Sequence, residues 1–235
     1  MAEPKLLLPF FLKFAVVVSV FGFVSIPVLL SQAGNNQIDF LFSKPLIGLL
    51  YAVICVVGVL AVFYPKKCEQ TFMFRKQSGF REQSDRGGLS GKLRFRGHHP
   101  DCEEFSGNRI TVRNVVLCAA CMGMLFGAAI ALIGAILYFF VGFITLPTNF
   151  VVFFVGYGVC MLGLVQYKFR GWFKLIVNAL FVVGSFVTLV SADLLGKSLL
   201  IDIFVLGLIL FLLLSRILFS QWNNKRICFR CEGCK

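Results

Sequence analysis

His99-x2-Cys102 and, after fifteen intervening residues, Cys118-x2-Cys121 form two ligand-type pairs at the spacing that wraps one tetrahedral metal ion. The final residues repeat the theme as Cys228-x2-Cys231-x2-Cys234. With His98 included, the candidate ligands are His98, His99, Cys102, Cys118, Cys121, Cys228, Cys231 and Cys234, enough for two four-coordinate sites. Cys68 is a further candidate that can replace a histidine, and His98 can instead orient a ligand as a hydrogen-bond donor. Cys118 and Cys121 in the first turn of a helix would present both sulfurs on one face. The amino end of that helix would also favour thiolates, the form a metal binds.

Zinc is the expected ion, because it is redox-inert and accepts mixed His and Cys sets. An iron–sulfur cluster is the alternative, since C-x2-C-x2-C opens the bacterial ferredoxin run; the stretch from Cys228 to Lys235 lacks the fourth cysteine and the proline that follow there. A third use of the same thiols is redox chemistry, which needs accessible, low-pKa sulfur. Cys55 and Cys160 fall inside apolar segments and read as small core residues.

These residues sit in a chain of 235 residues that is 58% hydrophobic and 14% charged, with a mean hydropathy of +0.87. Those values lie outside the range of soluble domains. Six segments approach the roughly 20 apolar residues that cross a hydrocarbon core of about 30 Å. They cover about 6–30, 46–64, 115–146, 150–167, 173–191 and 199–219. The fold class expected is therefore all-α, a polytopic membrane bundle of six helices with a small cytosolic Cys/His metal-binding element. The domain division is 1–64 for the first two helices, 65–117 for a basic loop with the His/Cys element, 118–220 for helices three to six, and 221–235 for a Cys-rich tail. Neither of the first two segments ends in a small-residue cleavage signature, and the first, with its long apolar stretch and the helix exit "SIPVLLSQAGNN", reads as a membrane helix rather than a signal peptide.

Basic residues near helix ends stay on the cytoplasmic side. Of the 23 lysines and arginines, all but Lys44 and Lys197 fall on one side of the six-segment arrangement, which places both termini in the cytosol of a prokaryotic inner membrane. The same asymmetry accounts for the net charge of +12 through topology and anionic lipid headgroups, so membrane lipids are the expected partners and nucleic acid is not. A homo-oligomer or a membrane-complex partner is compatible with the helix pattern. Seven of the nine cysteines fall on the cytosolic side, a reducing compartment where stable disulfides are disfavoured and metal binding is favoured. Within the loop, "KQSGFREQSDRGGLSGK" is polar and Gly/Ser-rich, as in a linker, and "KLRFR" alternates as a short strand would.

"CAACMGMLFG" resembles a recurring element of a family of uncharacterised prokaryotic polytopic membrane proteins. That element reads Cys-His, then P-x-R-S-F, then C-A-R-C-T-G-I-Y-x-G entering a membrane helix. Cys118, Ala119, Cys121, Gly123 and Gly127 match it, whereas Ala120 and Met122 replace the arginine and threonine. The resemblance spans about thirty residues and implies a membrane helix with a Cys motif at its start, but no activity.

Gly123, Gly127, Ala131 and Ala135 recur at four-residue steps in the third segment, a stripe that allows close helix approach within the bundle or between copies. Asp202 is expected as an interfacial carboxylate with Lys197 or Lys13 as candidate partner, and Gln166 and Asn178 are expected to face one another. The chain contains no G-x-S-x-G, H-E-x-x-H, P-loop or dinucleotide fingerprint. Asp101, Glu103 and Glu104 beside Cys102 would suit a carboxylate base, but a thiolate-rich zinc is more often a closed structural site. The expected function is a scaffold or transporter-like bundle locked by cytosolic zinc that joins the 65–117 loop to the tail. The alternative is an enzyme, either a membrane thiol oxidoreductase or a metal-dependent membrane enzyme using the same cysteines.

Overall fold

A computed structural model describes residues 7–32, 43–63, 107–112, 115–143 and 150–228. Helices α1 (Leu7–Gln32) and α2 (Ser43–Phe63) are followed by strands β1 (Arg109–Val112) and β2 (Val115–Cys118). Helix α3 (Ala119–Ala135) continues through a π-helical turn, Ile136–Val141, and α4 (Phe150–Leu164) ends in a 3-10 turn, Gln166–Lys168. Helices α5 (Gly171–Gly196) and α6 (Leu199–Cys228) complete the order.

Five of the six helices are long and apolar enough to cross a membrane. The exception is α4, whose 15 residues rise about 22 Å, short of the roughly 30 Å core. Outward-facing Phe21, Val57, Ile130 and Val151 are each more than half exposed. An apolar surface of this extent would aggregate in water and is stable against lipid chains. The chain is thus a membrane-type helical bundle.

Two differences from the sequence reading concern the third segment and the last. Residues 115–118 do not begin the helix: Val115, Val116 and Leu117 pair with Val112, Thr111 and Ile110 in an antiparallel hairpin. β-Branched residues on both strands favour the pleated arrangement over a helix turn. This two-stranded hairpin is added to a bundle that is otherwise helical among the described residues. At the other end, α6 runs on through 221–228, so Cys228 closes a helix instead of lying in a separate tail. "KLRFR" lies outside the described residues.

Helix α5 forms the centre. It lies along α3 and α4 and touches α6 and α1, and 61% of its membrane span is buried against 22% for α2. The small-residue stripe of α3 explains the close fit. A Cβ on Gly127 would stand 2.6 Å from the Ala179 carbonyl oxygen, and one on Gly123 would collide with the Leu175 carbonyl. On the other side of α5, Gly184 meets the Gly156 carbonyl oxygen of α4 at 2.9 Å from its ideal Cβ position. These contacts are internal to one chain, so the stripe serves bundle packing. Buried tyrosines pin the outer helices to this centre. Tyr51 of α2 donates to the Val182 carbonyl at 3.1 Å, and Tyr157 of α4 donates to the Ser19 carbonyl of α1 at 2.6 Å.

Candidate metal centre

The hairpin determines where the cysteine pair sits. Its register sets Arg109 opposite Cys118, so the chain leading into β1 arrives beside the sulfur at the end of β2. Cys118 is the N-cap of α3, with extended backbone (φ −74°, ψ 118°) and no capping bond from its side chain. Cys121 follows at the third helical position, and its thiol hydrogen-bonds that of Cys118. Both are thiols rather than disulfide partners, with Cys118 only 7% exposed. The expected i, i+3 pairing at the helix start is therefore realised, with the strand-to-helix turn at Cys118 instead of a helical turn.

Among the described residues, no three His, Cys, Asp or Glu side chains converge as a metal would require. Cys118 and Cys121 alone provide two adjacent sulfurs. His98, His99, Cys102, Cys231 and Cys234 lie outside the described residues, as does Cys68. Cys228 is placed by its backbone at the end of α6, twelve positions beyond Arg216, or about 18 Å along the axis. Cys55 and Cys160 are buried in the apolar core, as their positions in the apolar segments imply.

Around the thiols, the bundle gathers polar groups that sequence reading assigned only to orientation or to each other. Lys174 is buried and donates to Asn108 Oδ1 at 2.5 Å, which ties α5 to the residue preceding β1. Arg216 is 3% exposed; its Nη2 donates to Asn178 Oδ1, and its guanidinium lies 4.8 Å from the centre of the Phe181 ring. Cys121 is the electrostatic neighbour of both cations. Asn178 is thus occupied by Arg216 and by the Lys174 carbonyl, not by Gln166, whose Oε1 has no partner among the described residues. A stronger sequence signal was present: Arg216 interrupts an apolar run and Lys174 stands one helical turn before Asn178, a spacing that lines one face.

At the far end of α5 a second polar group forms. Tyr138 donates to Asp193 Oδ2 at 2.5 Å, and Lys44 approaches the same oxygen at 3.7 Å. Asp202, in the first turn of α6, is 2% exposed and lies against Asp193 with Lys44 nearby, rather than against Lys197 or Lys13, and its Oδ1 has no partner among the described residues. Between the two ends, a cavity of about 30 Å³ is lined by Tyr51, Cys55, Met124, Phe181 and Ser185.

No family model, curated protein or solved structure matches the chain. The functional reading therefore rests on the site itself.

Proposed function

We propose that the protein is a membrane scaffold whose hairpin end is fastened by a zinc centre built on Cys118 and Cys121. The observation that carries this is the β1–β2 register, which returns the chain preceding Arg109 to the side of Cys118. Cys102 stands seven residues before Arg109, and an extended stretch of that length reaches about 23 Å. That reach is compatible with His99 and Cys102 as the third and fourth ligands, with His98 as the alternative imidazole. Bound zinc supplies a redox-inert crosslink between the loop and α3. Cys118 and Cys121 would hold it from the helix, and Asn108, bonded to Lys174, ties the start of β1 to α5.

Cys228, Cys231 and Cys234 form a second ligand set at the end of α6, and joining it to the first would connect loop and tail. Burial of Cys118 at the base of the hairpin favours ligation over thiol exchange, which needs an accessible sulfur. We assign the hairpin end to the cytosol of a prokaryotic inner membrane on the distribution of lysine and arginine.

Elemental analysis of the purified full chain tests this reading. Zinc at one or two ions per chain, lost in part by Cys118→Ser with Cys121→Ser and separately by Cys228→Ser with Cys231→Ser, is expected. Iron with acid-labile sulfide would instead support the cluster alternative. Protein that is folded and free of metal, with its thiols open to alkylation, would favour the oxidoreductase.

A further inference from the structure

Independently of the zinc reading, we infer that Asp193 and Asp202 form a site that binds one exchangeable proton at the end of the bundle opposite the hairpin. The turn between α5 and α6 brings the two carboxyls together. Asp193 is three residues before the end of α5, and Asp202 is three residues after the start of α6. Lys197 and Ser198 join the two helices; the Lys197 N–H donates to the Asp193 carbonyl at 2.9 Å, and the Asp202 N–H donates to the Ser198 carbonyl at 3.1 Å. The two side chains therefore start from the same level, each about one helical turn from the connection. Gly196 lets the helices close at this level, with Leu30 of α1 at 2.8 Å and Ile201 of α6 at 3.1 Å from its ideal Cβ position.

Polar groups from two further elements converge on the pair. Tyr138, presented by the π-helical turn, donates to Asp193 Oδ2 at 2.5 Å, and Lys44 of α2 stands 3.7 Å from the same oxygen. Both donors thus serve one oxygen of Asp193. Asp202 is 2% exposed, and its Oδ1 has no partner among the described residues. At this end α1 brings apolar Leu30 and α4 begins with Phe150 and Val151, so neither adds a titratable group. Lys197, at the cap of α5, is exposed.

With both carboxyls ionised, two buried negative charges would face Lys44, whose side chain is 55% exposed. Burial of an unmatched charge is costly. The connecting stretches 33–42 and 144–149 contain no lysine, arginine or histidine to supply a second cation. The missing positive charge comes from outside the chain. A proton supplies it without displacing packed atoms, which matters where Asp193 and Asp202 are 4% and 2% exposed. It passes from water to a carboxylate oxygen of Asp202 and breaks no bond in the protein. The new O–H then donates to the Asp193 side chain that Asp202 already contacts. Neutral Asp202 leaves ionised Asp193 and Lys44 matched one to one. Two carboxyls this close do not ionise together. Lys44 leads from Asp193 Oδ2 to the surface and marks the side from which the proton exchanges. Ionisable side chains that face the interior of a membrane bundle commonly serve proton relays.

Infrared spectroscopy of the full chain in detergent tests the site, because the carbonyl stretch of a protonated carboxyl stands clear of the amide bands and shifts in heavy water. Wild type at neutral pH is expected to show such a band and to lose it as the pH rises. Asp202→Asn is expected to abolish the band with helical circular dichroism unchanged. Lys44→Met, at a largely exposed side chain, is expected to keep the band to a pH about one unit or more higher, because loss of the cation disfavours the ionised form. Should Asp202→Asn fail to fold, the lysine variant decides, and an unmoved titration overturns the site. A folded wild type without the band overturns it too, as does a band that survives Asp202→Asn. Exchange of choline for sodium at fixed ionic strength is expected to leave the band in place; its loss would overturn the proton in favour of a metal cation. None of these readouts involves the cysteines, so failure here and failure of the zinc reading are separate results.

Discussion

The hydroxyl of Tyr138, in the π-helical turn after α3, donates a 2.5 Å hydrogen bond to Oδ2 of Asp193 near the end of α5. The two residues stand 55 positions apart in the chain, and the bond closes the α3–α5 pair at the end opposite the cysteines. Lys44 adds a cation to the same oxygen and lies 5.5 Å from the centre of the Tyr138 ring, bringing in α2. Tyr138→Phe should cost about 1–3 kcal/mol, the range for removing the donor from a buried charged acceptor. Lys44→Met should cost less, about 1 kcal/mol or below, because the lysine is 55% exposed. Thermal unfolding in detergent measures both, and equal losses would contradict the unequal burial.

Asp202 and Asp193 should respond in opposite directions to the same change. Asp193→Asn weakens the bonds from Tyr138 and Lys44 and is expected to lower stability by about 1–3 kcal/mol. Asp202→Asn removes one of two carboxyl groups in contact and leaves shape unchanged, so neutral or increased stability is expected. A large loss in Asp202→Asn would show that its charge has a partner beyond those described.

Helix approach along the α3 stripe is open to a steric test. Gly127→Leu places atoms where the Ala179 backbone already stands and should cost at least about 1–3 kcal/mol through forced separation of α3 and α5. Gly207→Ala is the control, since a Cβ there meets nothing within 4 Å, and should leave unfolding unchanged or slightly improved. Melting both variants side by side checks whether the stripe is an internal seam; a loss confined to oligomers would place it between copies.

Chelation should expose sulfur selectively. With metal bound, maleimide labelling of Cys118 and Cys121 is expected to be slow and to rise at least tenfold after a strong chelator is added. Cys55 and Cys160 should stay protected in both conditions, because they are packed in the apolar core and not at the hairpin. Labelling resolved by peptide mass spectrometry distinguishes these from global unfolding, which would expose all four.

Much of this arrangement is legible in composition and spacing. Apolar runs of membrane length dictate helices, since backbone groups in lipid must bond within their own segment. The Gly123–Ala135 stripe marks a close packing face, and C-x2-C before an apolar run marks a helix start with two sulfurs on one side. Val115 to Cys118 misleads because a short apolar stretch joined to a long one reads as its continuation. Only pairing with Arg109–Val112 reveals the strand.

The sequence by itself determined the membrane bundle, the approximate helix borders and the sulfur pair, because these depend on hydropathy and on spacing within a single segment. Tertiary structure decided what surrounds them. Lys174 and Arg216 belong to helices far apart in the chain, and nothing local says that they turn inward toward Cys121 and Asn178 instead of outward to headgroups. Asp202 meets Asp193 for the same reason, across the turn between α5 and α6. Whether a charge in a membrane helix is buried depends on which faces the neighbouring helices cover, and that is a property of the assembled bundle.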